Sequence, residues 1–341
     1  MKKRILGFNG CGGWARKKYL PFLAQHPEVT VAAFCELVLP QEKAEIATIF
    51  PEAHFYDTLA EMLETEQLDG VVVTLPHSLH LPRIVQSLEH GLNVFTDKPA
   101  GVSADEIHQI VAAEEKFGKR VAVGAQRRAL PGYTEIKEQL KKNEEQPRWV
   151  TGTFHFSSYP GWQNTWRNNP QLSGNPHAKQ GVLLDTGYHL IDSILYILDF
   201  PKPTLVFAQA NYRDYNVEAD VELTIQFEQS LTIHLSVSRD VPPNYEKEGI
   251  ALLTDQTYLA FNQHTVNQKK QSTFVMTSGT TPAKILHFPS TPIAHYPMEA
   301  FLQFIAGKTF DEKWSVASSL TTLAIIDAAY ESIQTKKAVG L

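Results

Sequence analysis

The sequence predicts an α/β protein in two parts, a doubly wound parallel sheet followed by an α+β domain with a mostly antiparallel sheet. A chain of 341 residues is long enough for two domains with sizeable cores. The N-terminal third alternates short apolar runs with helical patterns, whereas strand-like runs follow one another directly later in the chain. We therefore place one domain at residues 1–125 and a second at residues 126–341.

Six apolar runs in the first domain are predicted strands, and the segments between them have helical periodicity. In chain order the strands are RILGFN, VTVAAFCEL, AHFYD, DGVVVTLP, NVFTD and RVAVGAQ. Gly91 and Gly118 stand where the C-terminal glycines of two of these helices are expected. Strands that alternate with helices form a parallel sheet with helices on both faces.

The pattern changes after Gln126, where the helix YTEIKEQLKKN leads to the strand RWVTGTFHF and a polar loop over residues 157–180. A helical run, GVLLDTGYHLIDSILYIL, follows that loop. Four strands are then predicted in succession: TLVFAQANY, ADVELTIQFE, LTIHLSVSR and GIALLTDQTYLAF. Strands without helices between them pair mostly antiparallel, and two more helical segments, MEAFLQFIAG and VASSLTTLAIIDAAYESIQT, come after them.

The bulk composition is that of an ordinary globular protein and argues against several classes of function. Hydrophobic residues make up 43% of the chain, and its net charge of −6 argues against a nucleic-acid partner. No apolar run is long enough to span a bilayer, and the N-terminal cations meet a glycine before a signal region forms. Cys11 and Cys35 are too few for a zinc site, and no other metal-ligand pattern is present. We expect a cytoplasmic protein with reduced cysteines, no membrane partner and no metal.

The stretch FNGCGGWA follows the first predicted strand and has the form of a phosphate-binding turn. Gly10, Gly12 and Ala15 match G-x-G-x-x-[GA]. The first glycine permits a tight turn, the second lets a pyrophosphate approach the backbone, and the alanine allows close packing of helix on strand. We expect Gly13 and Trp14 of the same turn to contact the dinucleotide as well. The alternative is a glycine turn with no ligand.

An acid at the end of the second strand extends this pattern. Glu36 lies 24 residues after Gly12, close to the spacing expected of a carboxylate that bonds the adenosine ribose. No arginine follows Glu36, and a carboxylate repels a 2′-phosphate, so we expect NAD, with NADP as the alternative cofactor. Taken alone, Glu36 is equally consistent with a solvated acid at a strand end.

Lys98 ends the fifth strand in the stretch NVFTDKPAG. Ligands bind at the carboxyl ends of strands in open α/β sheets, and the proline after Lys98 restricts the backbone and is compatible with a cis bond. A lysine in this place can polarise an oxygen or share a proton near a carbonyl. A surface lysine on a loop is the alternative.

The run GVLLDTGYHLID combines an apolar helix side with a narrow polar stripe. At about 100° per residue, His189 lies near +40° and Asp192 near −20° from Asp185. Two carboxylates are a poor choice for a dry core, so the stripe indicates the wall of a binding cleft. A structural Asp–His pair explains the pattern equally well, and we assign Asp192 to supporting structure.

Taken in order, these motifs resemble the glucose–fructose oxidoreductase/inositol dehydrogenase family of NAD(P)-dependent oxidoreductases over nearly the whole chain. The family's D-x-G-x-H motif matches Asp185, Gly187 and His189, and its E-K-P motif appears as Asp97-Lys98-Pro99. Its T-P-x-x-x-H segment appears as residues 75–80, with His77 in place of a common Asn, and AQRRALPGY resembles its domain junction. The usual glycine run before the second-domain helix is reduced to Gln180-Gly181.

The resemblance implies a Rossmann domain, an α/β domain with an open sheet that commonly forms the dimer interface, and hydride transfer at a sugar or cyclitol carbon. It implies that His189 is the general base, that Lys98 bonds the reacting oxygen, and that Asp185 binds a substrate hydroxyl or tunes His189. Imidazole suits this task because its unperturbed pKa is about 6.5. The further cofactor contacts that it implies are Leu75, Pro76, His77, His80, Asp97, Lys98 and Gln126, and Arg127 is implied as a substrate contact.

Recognition of substrate is expected in the loop YPGWQNTWRNNP. It contains Tyr159, Trp162, Trp166 and Arg167, and aromatic faces stack on sugars while Arg and Asn bond hydroxyl groups. The alternative is an Ω-loop anchored by its tryptophans.

The sequence therefore predicts a dehydrogenase or reductase of a sugar or polyol that forms a homodimer or homotetramer through the C-terminal sheet. Three alternatives stay open: a non-catalytic regulator that senses nucleotide and sugar, a reductase of a non-sugar substrate, and an enzyme that keeps its cofactor bound between turnovers.

Overall fold

A computed structural model describes residues 3–36, 40–158, 160–175, 177–242, 244–266, 269–279 and 282–341. The chain divides into two compact units. The first unit comprises Met1–Gln126 and Ala294–Leu320, and the second unit comprises Arg127–Ile293 and Thr321–Leu341.

A six-stranded parallel sheet forms the centre of the first unit. Its strands are β1 (Arg4–Asn9), β2 (Val29–Cys35), β3 (His54–Tyr56), β4 (Gly70–Val73), β5 (Asn93–Thr96) and β6 (Val121–Val123). They lie in the order β3-β2-β1-β4-β5-β6, and every neighbouring pair is parallel. The strand order reverses between β1 and β4, and ligands of such sheets bind beyond the carboxyl ends of the strands at this point.

Five helices connect these strands, as the alternating pattern predicts. They are α1 (Gly13–Gln25), α2 (Pro40–Ile49), α3 (Leu59–Thr65), α4 (His80–Glu89) and α5 (Ala104–Phe117). Thr58 and Glu61 form a capping box at the start of α3, and Ser103 caps α5. Gly91 and Gly118 have φ angles of 76° and 62°, which confirms the predicted glycine ends.

A nine-stranded mixed sheet forms the centre of the second unit. Its strands are β7 (Trp149–Phe156), β8 (Pro203–Asn211), β9 (Asp220–Phe227), β10 (Thr232–Arg239), β11 (Lys247–Leu253), β12 (Thr257–Val266), β13 (Lys269–Ser278), β14 (Lys284–Phe288) and β15 (Val339–Gly340). Their order is β14-β13-β12-β11-β7-β10-β9-β8-β15, and only β7 and β10 pair parallel. The mostly antiparallel open sheet that the sequence predicts is therefore confirmed.

Helices cover one face of this sheet. They include α6 (Pro131–Asn143), the one-turn α7 (Pro170–Ser173) and α8 (Tyr188–Ile197), which follows a π-helical turn at Leu183–Gly187. Gly152 of β7 lets α8 approach the sheet, because a Cβ atom there would lie 3.1 Å from Leu190 Cδ1 and 3.2 Å from Ile194 Cδ1. The sheet thus supports the helix that contains the D-x-G-x-H motif.

Residues 294–320 belong to the first unit, although the sequence assigns everything beyond residue 125 to the second domain. Helix α9 (His295–Ile305) has an apolar face that packs on the parallel sheet, with the Phe301 ring 5.9 Å from that of Phe95. The phenyl ring also covers Gly70, where a Cβ atom would lie 2.9 Å from Phe301 Cζ. After this excursion the chain returns to the second unit through α10 (Leu320–Thr335).

The strand boundaries of the second domain differ from the prediction in one hairpin. GIALLTDQTYLAF is predicted as a single strand, but β11 and β12 pair antiparallel around a turn at residues 254–256. Thr254 stabilises this turn because its hydroxyl oxygen accepts from the N–H groups of Gln256 and Thr257 at 3.2 and 2.8 Å. Strands β13 and β14, which follow, are not predicted from the sequence.

In the part of the chain that the structure describes, no helix has both the length and the apolar character that a membrane crossing requires. Cys11 and Cys35 are buried and are not joined by a disulfide. Burial raises the pKa of both thiols to about 12, so they stay protonated near neutral pH.

Candidate active site

The glycine turn lies between β1 and α1, as the sequence predicts. Gly10 has φ of 72°, and a Cβ atom there would lie 2.5 Å from Leu75 Cδ2, so both conformation and space require glycine. Cβ atoms built on Gly12 and Gly13 would meet nothing within 4 Å. Ala15, in the first turn of α1, is buried, whereas Trp14 beside it is exposed. The turn therefore has an open face over Gly12 and Gly13.

The first turn of α1 is suited to an anion. No side chain caps this helix terminus, and the first turn contains no acidic residue. Uncapped N–H groups and the helix dipole attract negative charge. A dinucleotide pyrophosphate fits this turn, because the open space over two glycines lets it approach the backbone.

Glu36 follows β2 directly and has φ of 54°. Its carboxylate accepts from Asn9 Nδ2 at 2.7 Å and from Arg83 Nε at 3.0 Å, and Arg83 Nη2 bonds its other oxygen. The sequence predicts the acid and the absence of an arginine beside it in the chain. The structure supplies an arginine from α4, 47 residues further on.

Residues 75–80 connect β4 to α4, and His80 braces this loop. His80 is buried, with Nδ1 2.7 Å from Pro99 O and Nε2 2.8 Å from Leu75 O. Burial lowers the pKa of His80. Both ring nitrogens face backbone carbonyls, which favours a structural role for His80 in support of the two loops, and its direct contact with a cofactor stays a prediction. His77 is buried in the short 3₁₀ turn between Pro76 and α4.

Asp97, Lys98 and Pro99 form a turn at the carboxyl end of β5. The Lys98–Pro99 bond is cis, and Asp97 Oδ1 accepts from Lys98 N–H at 2.9 Å and from Tyr19 O–H at 3.2 Å. Burial and the Asp97 charge raise the pKa of Tyr19 well above 10, so the phenol stays a donor. Lys98 is only 9% exposed, which does not fit the surface lysine that the sequence leaves as an alternative.

Gln126 completes the predicted cofactor residues of the first unit. Its side chain is buried, and Oε1 has no hydrogen-bond partner among the described residues. Such an oxygen is an acceptor for a ligand amide or hydroxyl. With the open turn at α1 and the acid after β2, the first unit has the features that a nicotinamide dinucleotide requires.

The D-x-G-x-H motif of the second unit begins in a π-helical turn. Leu183–Gly187 is π-helical, and the regular α-helix α8 starts at Tyr188. The angular positions expected for Asp185 and His189 on a continuous α-helix are therefore wrong. Single π turns occur frequently at functional sites, because the wider turn changes the direction of the side chains in it.

Glu218 and Tyr330 hold the start of this turn from two other elements. Glu218 Oε1 accepts from Leu183 N–H at 2.8 Å and from Tyr330 O–H at 2.7 Å, and Gly181 N–H donates to the Tyr330 oxygen at 3.2 Å. The backbone oxygen of Glu218 accepts from Val182 N–H at 3.1 Å. A Cβ atom on Gly181 would lie 2.7 Å from that oxygen, so this motif needs glycine at residue 181.

Asp185 lies between two guanidinium groups. Its Oδ2 atom accepts from Arg167 Nε at 3.2 Å and from Arg239 Nη2 at 3.1 Å. Arg239 is 1% exposed, and its Nε and Nη1 atoms have no hydrogen-bond partner among the described residues. Burial lowers the pKa of Arg239, and the Asp185 charge opposes that effect. Asp185 thus has two cationic side chains beside its carboxylate.

The structure corrects the assignment of Trp162 as a substrate contact. Its indole N–H donates to both oxygens of Asp240 at 3.1 and 3.0 Å, and its ring is 4.3 Å from the Arg239 guanidinium. The Tyr215 ring packs edge-on against the Trp162 ring, with 4.6 Å between the ring centroids, and its hydroxyl donates to the same Asp240. Trp162 is buried and supports Arg239, which agrees with the loop-anchor alternative.

The remaining predicted substrate residues have different surroundings. The Arg167 guanidinium lies 4.4 Å from the Trp166 ring. Arg127 bonds the buried Glu248 and covers the Phe154 ring at 4.4 Å. Tyr159 lies outside the described residues, and nothing is assigned to it.

His189 is 9% exposed at the second residue of α8. Its ring centroid is 6.4 Å from those of Phe154 and Tyr188. Phe154 thus lies beside both His189 and Arg127. Asp192, one turn further along α8, is buried and accepts from Arg128 Nε at 2.8 Å, as its assignment to supporting structure predicts.

Several side chains of these sites are not predicted from the sequence. They are Asn9, Arg83, Glu218, Arg239, Asp240 and Tyr330. Arg239-Asp240 ends an alternating strand, and a charged pair in that place is the one signal that points to a site. The other four side chains contact residues far away in the sequence, and no local sequence pattern predicts such contacts.

Glu218→Gln is expected to flatten the pH dependence of stability. Burial raises the pKa of Glu218 to about 7, from 4.5 ordinarily. The folded protein therefore binds the proton more tightly, and the unfolding free energy falls as pH rises from about 4.5 to 7. At 1.36 kcal/mol per unit, this group accounts for about 3 kcal/mol. Denaturant unfolding of both proteins at pH 5 and pH 8 measures the difference.

The matched control for this measurement is the exposed Glu138→Gln, which should leave the pH dependence unchanged. Tyr212 and Arg239 also interact electrostatically with Glu218, and both remain in the variant. The same pH slope in wild type and Glu218→Gln would show that this carboxyl does not titrate in the folded protein.

Two family models match the chain and together cover both units. The model described as "Oxidoreductase family, NAD-binding Rossmann fold" matches residues 5–125. The model described as "GFO/IDH/MocA C-terminal domain" matches residues 134–259. The first match contains the glycine turn, Glu36 and Lys98, and the second contains Asp185 and His189.

Named oxidoreductases are among the similar proteins. D-glucoside 3-dehydrogenase of Escherichia coli is 26% identical over 203 residues, which is 59% of this chain and 56% of that protein. The NADP(+)-dependent scyllo-inositol 2-dehydrogenase of Bacillus subtilis is 22% identical over 85% of each chain. A 3-ketoreductase from Actinomadura kijaniata, solved with NADP and TDP-benzene, has a TM-score of 0.83 at 19% identity, covering 97% of this chain and 98% of its own. The last likeness shows the fold.

Proposed function

Because the chain belongs to the GFO/IDH/MocA family of oxidoreductases, we propose that it is an NAD(P)-dependent dehydrogenase or reductase. Its substrate is a sugar, a sugar derivative or a cyclitol, and the reacting group is a CH–OH carbon or the corresponding ketone. The observation that carries this proposal is the turn holding Asp185 and His189, with Asp185 between two guanidinium groups. The named relatives act on glucosides, inositols and keto groups, which agrees with such a substrate.

His189 is the proposed general base in oxidation and the general acid in reduction. Neutral imidazole takes the proton of the reacting hydroxyl, and imidazolium returns it in the reverse direction. Packing among aromatic rings limits the water around His189, and the anchored start of the turn holds its backbone in place. This combination favours one orientation of the imidazole.

Lys98 is the proposed hydrogen-bond donor to the reacting oxygen. The ammonium group stabilises negative charge that develops on this oxygen when its proton leaves. The turn Asp97–Pro99 holds the backbone of Lys98, because the Asp97 carboxylate accepts from its N–H group. Nicotinamide, when bound, supplies hydride acceptance and donation, and the protein's part is binding and orientation.

Asp185 is the proposed acceptor for a neighbouring substrate hydroxyl. Arg167 and Arg239 both donate to Oδ2, so the carboxylate is held in one position, and carboxylate oxygens are acceptors for hydroxyl donors. Sugars and cyclitols present adjacent hydroxyl groups to such acceptors. Arg167 also binds acceptor oxygens of the same substrate in this proposal.

A panel of substrates tests the proposed function. We expect glucosides, aldoses or inositols to reduce NAD⁺ or NADP⁺, measured as absorbance at about 340 nm, the band of the reduced nicotinamide. Each substrate is run with both cofactors, in both directions where the ketone exists. Tight dinucleotide binding without turnover of any member would contradict the proposal and favour a nucleotide- and sugar-sensing regulator.

We also propose a cytoplasmic homodimer or homotetramer that associates through the sheet of the second unit. The sheet face opposite the helices carries exposed polar side chains that include Gln209, Glu222 and His234. In a symmetric dimer this face packs on the same face of a second copy of the chain. Sedimentation velocity measures the mass of the assembly, and a monomer at micromolar concentration would contradict the proposal.

A further inference from the structure

Glu36 and Arg83 form an ion pair at the carboxyl end of β2. The Arg83 guanidinium donates two hydrogen bonds to the Glu36 carboxylate. One runs from Nε to Oε2 at 3.0 Å, and the other runs from Nη2 to Oε1. Such bidentate pairs are stronger and more directional than single contacts. Asn9 Nδ2 donates to the same carboxylate at 2.7 Å. Glu36 therefore keeps one hydrogen bond even if the Arg83 side chain moves to another ligand.

This pair changes what an acid in this place does to a dinucleotide. A lone carboxylate bonds the 2′-hydroxyl of the adenosine ribose and repels a 2′-phosphate. The charge of Arg83 compensates that of Glu36, so the repulsion is reduced. Three of about four acceptor sites on the carboxylate are occupied by Arg83 and Asn9, which leaves one for a ribose hydroxyl.

The Arg83 guanidinium also has N–H groups that Glu36 does not use. Arg83 has five N–H groups, and Glu36 takes one from Nε and one from Nη2. Its side chain is 33% exposed, so part of it faces solvent. A 2′-phosphate carries more charge than a carboxylate and competes for the same guanidinium.

We propose that Arg83 is the 2′-phosphate ligand of the first unit and that the Glu36–Arg83 pair lets this chain bind both NAD(H) and NADP(H). With NAD(H), Glu36 accepts the ribose hydroxyl while Arg83 stays on the carboxylate. With NADP(H), the guanidinium is shared between the phosphate and Glu36, which Asn9 retains. This inference rests on the part of the proposed function that assigns a nicotinamide cofactor to the chain. It does not depend on which substrate the chain acts on.

Equilibrium binding of NADH and NADPH, followed by nicotinamide fluorescence on the full chain, tests this proposal. Wild type is expected to bind both, with dissociation constants within about tenfold of each other. Arg83→Gln should weaken NADPH at least about tenfold and NADH less than about threefold, since only the phosphate loses a charged ligand. Glu36→Gln should weaken NADH and tighten NADPH, because the repelling charge is removed.

Two further variants make the outcome decisive. Arg4→Gln removes an arginine at the start of β1, the other end of the strand from the glycine turn, and should leave both affinities unchanged. Arg83→Lys keeps the charge and should retain most of the NADPH affinity, which separates phosphate binding from folding. Equal loss of NADH and NADPH in Arg83→Gln, or wild type that binds NADH alone, overturns the assignment of Arg83. Binding of neither dinucleotide overturns the proposed function as well, whereas binding of both dinucleotides without turnover contradicts the proposed function and leaves the assignment of Arg83 standing.

Discussion

His189→Ala is expected to lower kcat roughly 10²–10⁴-fold with the best substrate of the panel, the range for loss of a general acid–base group. The proton of the reacting hydroxyl then has no acceptor on the protein, while the dinucleotide contacts of the first unit are untouched. Turnover at substrate saturation and NADH binding, measured on the same preparation, separate the two effects. We expect the dissociation constant of NADH to change less than about threefold.

The control for this experiment is His155→Ala. His155 lies on β7 and bonds Ser236 of the neighbouring strand at 2.8 Å, away from the D-x-G-x-H motif. The His155→Ala variant removes an imidazole from the same unit as His189 and should leave turnover near that of wild type. Near-normal turnover of His189→Ala would end the assignment of the general base.

Lys98→Ala is expected to lower kcat roughly 10²–10³-fold, the range for loss of one preorganised donor to a developing oxyanion. Because Lys98 is 9% exposed, its removal also leaves a cavity where the side chain was. The kcat/KM value should fall with kcat, since the lost contact is made mainly in the transition state. Steady-state kinetics in both directions measure both parameters.

Lys116→Ala provides the matched lysine variant. Lys116 is exposed in the last turn of α5 and lies in the same unit as Lys98. It should preserve kcat, KM and dinucleotide affinity. A higher KM with an unchanged kcat in Lys98→Ala would mean that the ammonium group binds the ground state and the transition state equally. The proposed role of Lys98 in stabilising the developing charge would then be wrong.

Most of the fold of the first unit follows from local patterns. Each strand of the parallel sheet is a short apolar run bounded by turn residues, and each connecting helix has its own periodicity and end signals. Gly10 and Gly118 occur where positive φ is required. The helix α9 is also predicted, as MEAFLQFIAG, but its place in the first unit is not, because the packing of Phe301 on Phe95 joins residues far apart in the chain.

The candidate site is predictable only in part, and the limit has a physical cause. Lys98, Asp185 and His189 stand in motifs that can be read along the chain. The partners that set their surroundings come from other elements: Arg239 from β10, Glu218 from before β9, and Tyr330 from α10. A hydrogen bond between such groups depends on tertiary distance, which sequence spacing does not encode.

The π-helical turn shows the same limit within a single segment. Periodicity predicts a continuous helix through Asp185 and His189, because the apolar spacing fits 3.6 residues per turn. In the structure the turn is wider over Leu183–Gly187, where Glu218 accepts from the N–H group of Leu183 and Tyr330 accepts from that of Gly181. Buried donors must be satisfied, and these two side chains satisfy them.

By itself the sequence determined the class of each unit, the glycine turn after β1, the acid after β2 and the positions of the motif residues Lys98, Asp185 and His189. These features are local, since propensity, periodicity and turn chemistry act over a few residues. Only the tertiary structure decided that α9 joins the first unit, that Asp185 lies between Arg167 and Arg239, and that Glu36 has Arg83 as its counter-charge. Charge pairing and burial are properties of distances in space, and those distances exist only after the chain has folded.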